Sequence, residues 1–249
     1  MNNKEEVIQA ISVDLIVAMF LLNTNRFLKS IELCKECSFI LKDRVCIKRQ
    51  QLSKSLYMGI YLIMWKAYNR ISDNTNAMKY AEKLLQIYRA SGERLEECKL
   101  SMTLANMYFH RSRYAQAKQL TEKGLQISKE IGQRNREACC CMNLGILYKL
   151  VGEYEKAREY LEKSLVINKE IGDRNGEAAC YANLANVNRS VGEYVEAREY
   201  LEKSLVIMKE IGDRNGEATC YANLGNVYQS VGEYEKAREI GRASCRERV

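Results

Sequence analysis

The chain has 249 residues, 47% of them apolar and 29% charged, with 14 glycines and no proline. That length and apolar content suffice for one domain or a modest repeat array and exclude disorder. The scarcity of breakers excludes a turn-rich sandwich or barrel and favours long helices joined by short turns. The formal charge of +7 gathers at the two ends: residues 1–70 hold 11 basic and 6 acidic residues, and Arg242, Arg246 and Arg248 stand against Glu247 at the other end. The middle is near balance, whereas a nucleic-acid binder carries its basic stripe through the repeats. Nucleic acid is therefore not an expected partner.

The first residues, MNNKEEV, are acidic where a secretion signal is basic, and the apolar run Leu15–Leu22 (LIVAMFLL) has eight residues directly after Asp14. Eight residues cannot span a bilayer, so a buried first helix is expected and no membrane span. Ten cysteines without a signal segment point to reduced thiols in the cytoplasm. Next, RFLKSIELCKECSFIL (Arg26–Leu41) echoes the later EYEKAREYLEKSLVI, seven residues out of register. Residues 1–50 thus read as a diverged helical hairpin that caps the rest of the chain. Its CxxC pair, Cys34 and Cys37, has no second CxxC to complete a zinc site, and His110 is the only histidine, so both thiols are expected to be packing residues.

From about residue 51 the chain obeys a 40-residue period, with units starting near 51, 91, 131, 171 and 211. Residues 171–199 and 211–239 are identical at 23 of 29 positions. Tyr68, Tyr108, Tyr148 and Tyr228 fall in register, as do Ala77, Ala117, Ala157, Ala197 and Ala237. Such a period signifies a solenoid of stacked units. In the unit starting at Ile171, Asp173 reads as an N-cap, helix A runs over about 175–190, Gly192 permits the turn, and helix B runs over about 194–209. Helix B carries an amphipathic stripe of Tyr194, Ala197, Leu201, Ser204, Leu205 and Met208. Helix A has three faces. Cys180, Leu184, Val187 and Val191 are expected to pack on helix B of their own unit, and Tyr181, Ala185 and Asn188 on the neighbouring unit. The third face, Ala179, Ala182, Asn183, Asn186 and Ser190, is left for the concave side of the stack.

Tyr181, Leu184 and Ala185 followed by Ala197, Leu201 and Ser204 resemble the signature of the tetratricopeptide repeat, with further copies at Cys141, Leu144, Gly145, Tyr148 and Ala157 and at Tyr221, Leu224, Gly225, Tyr228 and Ala237. The likeness spans about residues 51–239. The period of 40 in place of 34, the missing proline, and the strings LGNVY and IGDRNGEA make it similar to the subtype in Pins-type G-protein-signalling modulators and in long animal arrays. The resemblance implies an all-α, right-handed α-solenoid of antiparallel hairpins (a TPR superhelix) acting as a scaffold that holds extended peptides in its concave groove. The modulators' G-protein-binding motifs do not occur in this sequence.

After Glu239 the pattern breaks, and residues 240–249 (IGRASCRERV) read as the translation of a common sequencing adapter. They are expected to be non-native, leaving the last helix A without its partner and prone to fray or aggregate.

Catalysis finds no foothold: no phosphate loop, HExxH or GxSxG stands apart from the repeat, and the LEKSL and EYEKARE segments read as charge pairs on exposed helices. In the run Cys139, Cys140, Cys141, the middle residue aligns with Cys180 and Cys220 as a small core residue. No cofactor or metal is expected. The uncharged amides are the candidate site. Asn143, Asn183 and Asn223 align, as do Asn106, Asn186 and Asn226, and each can donate to and accept from an extended backbone. Lys66, Arg70, Lys99 and Arg189 favour acidic protein partners. Two functions fit these features: an adaptor binding an extended or partly helical peptide, or an architectural array that self-associates through its uncapped end.

Overall fold

Local chemistry places the helix ends. The Asp173 carboxylate accepts the Gly176 N–H at 2.9 Å, and Asp213 does the same for Gly216 at 3.0 Å, each satisfying a first-turn donor that has no partner within its helix. At the turns between helices A and B, Gly152, Gly192 and Gly232 take the left-handed conformation with φ of 80°, 87° and 80°. Ser72 and Ser112 hold the equivalent positions at φ 59° and 56°, despite their Cβ. Asn25, at φ 60°, makes the first turn 47 residues before Ser72 (72 − 25), the repeat length of 40 plus seven.

The computed structural model describes residues 3–44 and 50–246. Among these residues there are twelve helices and no strand. They are α1 (Asn3–Asn23), α2 (Phe27–Arg44), α3 (Gln50–Arg70), α4 (Asn74–Ser91), α5 (Arg94–Phe109), α6 (Tyr114–Glu130), α7 (Arg134–Leu150), α8 (Tyr154–Ile171), α9 (Arg174–Val191), α10 (Tyr194–Ile211), α11 (Arg214–Ser230) and α12 (Tyr234–Arg246). The chain divides into two compact units, Met1–Arg113 and Tyr114–Val249. In the first, consecutive helices pack on one another from α1 through α5, and α1 also meets α3; in the second, consecutive helices pack from α6 through α12, and α7 meets α9. Contacts between near neighbours only are what an all-α repeat solenoid requires.

The second unit shows how the repeat stacks. Leu184 and Val187 of α9 cluster with Ala157 and Leu161 of α8 and with Leu144 of α7. Ala185 instead clusters with Ala197 and Leu201 of α10 and with Leu224 and Val227 of α11. Tyr181 lies with Ile207 of α10. The two lines on helix A are therefore assigned the other way round from the expectation: Cys180, Leu184 and Val187 meet the preceding hairpin, and Tyr181 and Ala185 meet their own helix B. Asn188 is buried and Val191 is 41% exposed, outside the core line. Periodicity finds both lines but carries no information on which helix lies against which. The small residue, Ala185 here and Gly145 in α7, lies directly against the hairpin's own helix B. A buried serine fastens two of the seams: the Ser204 hydroxyl donates to the Ala178 carbonyl at 2.9 Å and lies 3.3 Å from Cys220 Sγ, joining α9, α10 and α11. Ser164 repeats this, donating to the Ala138 carbonyl at 2.8 Å and accepting from Cys180 at 3.2 Å.

In the first unit, Ile11, Ala18 and Leu22 of α1 pack with Ile31, Cys34 and Cys37 of α2 and with Ile60 and Met64 of α3. The first helix is not buried all round, as its apolar run implied: Val13, Ile16 and Phe20 are 58%, 70% and 62% exposed. Only one stripe of α1 finds α2 and α3. At the other end, α12 continues through Arg246, past Glu239, and Ile240 packs beside Leu201, Leu224 and Val227. The last helix A is thus partnered, although Gly241 occupies the position of Leu161 and Leu201 and offers no side chain to the seam.

Candidate functional site

Once both apolar lines of a helix A are buried, what remains accessible is decided by the helix period. On α9 the accessible positions are Ala179, Ala182, Asn183, Asn186 and Arg189, all half-buried, with Ser190 exposed. Asn186 and the exposed Asn226 are not sealed between helices. Asn143 on α7 and Asn223 on α11, both half-buried, take the register position of Asn183. One N–H of Asn183 is already committed, donating to the Ala179 carbonyl of its own helix at 2.9 Å. The Ser190 and Ser230 hydroxyls likewise turn back, to the Asn186 and Asn226 carbonyls at 2.9 Å each, so they occupy backbone acceptors and leave the side-chain amides to solvent.

The second unit thus holds Asn143, Asn183, Asn186, Asn223, Asn226 and Arg189. Asn106, Lys66, Arg70 and Lys99 belong to the first. Lys66 stands 120 residues before Asn186, in the same register, and is exposed with Arg70 one turn further along α3. Asn106 is exposed on α5. Lys99 differs from the other cations, because Glu96 pairs with its ammonium at 2.5 Å. One cation was missed by the reading of residue types. Lys149 precedes Arg189 by 40 residues, and burial, followed by the Arg189 charge, lowers its pKa. Projecting Arg189 back by one repeat would have found it.

The two thiols of the CxxC pair lie in the packing of α2. Cys34 and Cys37 are fully buried, and burial drives their pKa values up to about 12 and about 11, with the neighbouring Cys37 adding to the first and Asp14 to the second. Neither is a thiolate near neutrality. Among the described residues no group of three or more His, Cys, Asp or Glu could hold a metal ion, and no helix is long and apolar enough to cross a membrane.

Helical hairpins repeated every 40 residues, joined by nearest-neighbour seams and leaving one polar face of each helix A to solvent, define a protein-interaction repeat scaffold. The chain belongs to the tetratricopeptide repeat family: the family model matches residues 95–170, 137–210 and 177–246, in overlapping copies that together reach from 95 to 246. No curated protein matches the sequence. Solved structures share the fold at low identity. BtubC from P. vanneervenii superposes with a TM-score of 0.68 at 19% identity, over 100% of this chain and 92% of its own. The STAND protein PH0952 from Pyrococcus horikoshii, described as having a tetratricopeptide repeat sensor, reaches a TM-score of 0.75 at 18% identity, over 97% of this chain and 36% of its own. The apo form of RapI reaches 0.69 at 17% identity, over 96% and 97%.

Proposed function

We propose that the chain is an adaptor that holds an extended or partly helical segment of another protein against the amide-bearing face of its A helices. The observation that supports this most is the recurrence of uncharged amides at two register positions, Asn143, Asn183 and Asn223 and then Asn186 and Asn226, all accessible to solvent. An amide offers both a donor and an acceptor, which matches the backbone of an extended peptide irrespective of side chains. Arg189 beside Lys149 adds a preference for acidic segments. A neighbour in fold, a Rap protein, is described as complexed with Competence and Sporulation Factor, which is in keeping with ligand capture by such a scaffold.

The test is a panel of labelled peptides of about 10 to 15 residues, screened against the protein and against a variant with Asn183, Asn186, Asn223 and Asn226 all changed to alanine. Binding should fall while the melting temperature holds, because none of the four side chains is in the core. Unchanged affinity discards the amide face. A second reading, a self-associating array, draws support from the exposed Val13, Ile16 and Phe20 on α1. Sedimentation mass rising with concentration, and restored to the monomer by Ile16→Ser and Phe20→Ser, would favour it.

A further inference from the structure

Two hairpins of the second unit, α7–α8 and α9–α10, close at their open ends with an ion cluster. At the start of α9, Arg174 donates to Glu177 at 2.6 Å on its own helix and pairs with Glu210 at the end of α10. At the start of α7, Arg134 donates to Glu137 at 2.8 Å and pairs with Glu170 at the end of α8. One cation thus holds two carboxylates from the two helices of a hairpin, and the Glu137 and Glu177 carboxylates are largely buried. Burying a carboxylate is tolerated only because the guanidinium accompanies it.

The α3–α4 hairpin keeps the cation and lacks both carboxylates. Counting back 120 residues, Lys54 stands for Arg174, Tyr57 for Glu177 and Ala90 for Glu210. At this place the structure has an open cleft of about 1040 Å³, lined by Lys54, Tyr57, Met58, Tyr61, Lys83 and Ile87 among others. Neither lysine has a carboxylate partner among the described residues; the Lys83 ammonium lies 5.2 Å from the centre of the Tyr61 ring and 5.4 Å from that of Tyr80. Burial, then the charges of Lys79 and Lys42, lower the Lys83 pKa, as expected for an ammonium in surroundings short of anions. The one acid on the rim, Glu93, accepts from the Ser91 hydroxyl at 3.0 Å. Tyr57 and Tyr61, with ring centres 5.7 Å apart, and Met58 and Ile87 supply an apolar floor.

We propose that this cleft binds an acidic peptide segment of a partner protein, whose carboxylates take, from outside the chain, the place that glutamates fill within the other hairpins. Two glutamates one or two residues apart would face Lys54 and Lys83, and an aliphatic side chain between them would lie on Met58 and Ile87. The site is separate from the amide face, since no lining residue shares a register position with Asn183 or Asn186.

The probe is a fluorescein-labelled (Glu-Leu)5 peptide, with (Lys-Leu)5 as control, followed by fluorescence anisotropy. The whole chain should bind the acidic peptide and not the basic one, and raising the salt from about 0.05 M to about 0.5 M should weaken capture. Ala90→Glu together with Tyr57→Glu rebuilds the internal ion cluster and should cost about tenfold or more in affinity; Lys54→Gln should act in the same direction. Ala90 is exposed, so Ala90→Glu alone is safe for folding and provides a second measure. Absence of binding, equal capture of the basic peptide, or full binding by the double variant overturns the proposal. Were the four-asparagine variant to lose the acidic peptide while Ala90→Glu retained it, the ligand would sit on the amide face, and the cleft would be refuted while the adaptor reading stood.

Discussion

Gly145 and Gly225 occupy the same position in their repeats, yet adding a methyl group should have opposite effects at the two. A helical glycine costs about 0.5–1 kcal/mol relative to alanine, so either change begins with a gain of that size. At Gly145 a Cβ would lie 2.6 Å from Leu161 Cγ, 2.9 Å from its Cδ2 and 3.1 Å from the Ala157 carbonyl oxygen. Leu161 is fully buried and cannot swing aside, and the carbonyl belongs to the backbone of α8. Forcing such contacts apart costs about 1–3 kcal/mol, so Gly145→Ala should destabilise by roughly 1–2 kcal/mol net. At Gly225 the nearest atom is the Ala237 carbonyl oxygen at 3.9 Å, ordinary contact, because Gly241 stands where α8 has Leu161. Gly225→Ala should stabilise by about 0.5–1 kcal/mol. Ala185 shows that the position admits a methyl when the hairpin is built around it, being 2% exposed between Ala197 and Leu201. Urea unfolding followed by circular dichroism measures both. If the two variants shifted the midpoint in the same direction, the close approach of α7 and α8 would not be the controlling contact.

Three further outcomes rest on particular residues. Ser112→Gly should raise stability by about 0.5–1 kcal/mol, since Ser112 takes φ 56° at a turn where other repeats use glycine; an unchanged or lowered midpoint would show that the turn carries no strain. Asn188 is buried with no partner for its side-chain oxygen, in the register of Tyr148, which stacks on Tyr160. Asn188→Tyr should stack on Tyr200 and raise the melting temperature, by about 1 kcal/mol in stability, and a lower melting point would mean that the site has closed around the amide. Iodoacetamide at about pH 8 should modify Cys139, the exposed one among the described thiols, well ahead of Cys34, Cys37 and Cys141. Those three have pKa values pushed to about 12, about 11 and about 11, chiefly by burial, so thiolate appears only as the pH climbs toward those values. Labelling of Cys34 at neutral pH in the native state, read by mass spectrometry, would contradict the packing.

The sequence alone determined what depends on neighbours along the chain. The 40-residue period, the aspartate caps, the turn positions and the amphipathic stripe of helix B are local properties, and α9 and α10 begin and end within one or two residues of where they were read. The amides could be picked out for the same reason: on a helix of known period, positions outside both apolar lines are accessible. Only the tertiary structure decided how those lines are shared. Cys180 and Tyr181 point about 100° apart, both apolar, and nothing in their spacing says that the first meets α8 and the second α10. It also decided that one face of α1 stays exposed, because an apolar run measures what could be buried and not how many helices are present to bury it. The α3–α4 cleft was illegible for a related reason. Tyr57 and Ala90 are ordinary as letters, 33 residues apart (90 − 57), and become informative once the fold places them where two other hairpins bring a pair of glutamates to one arginine.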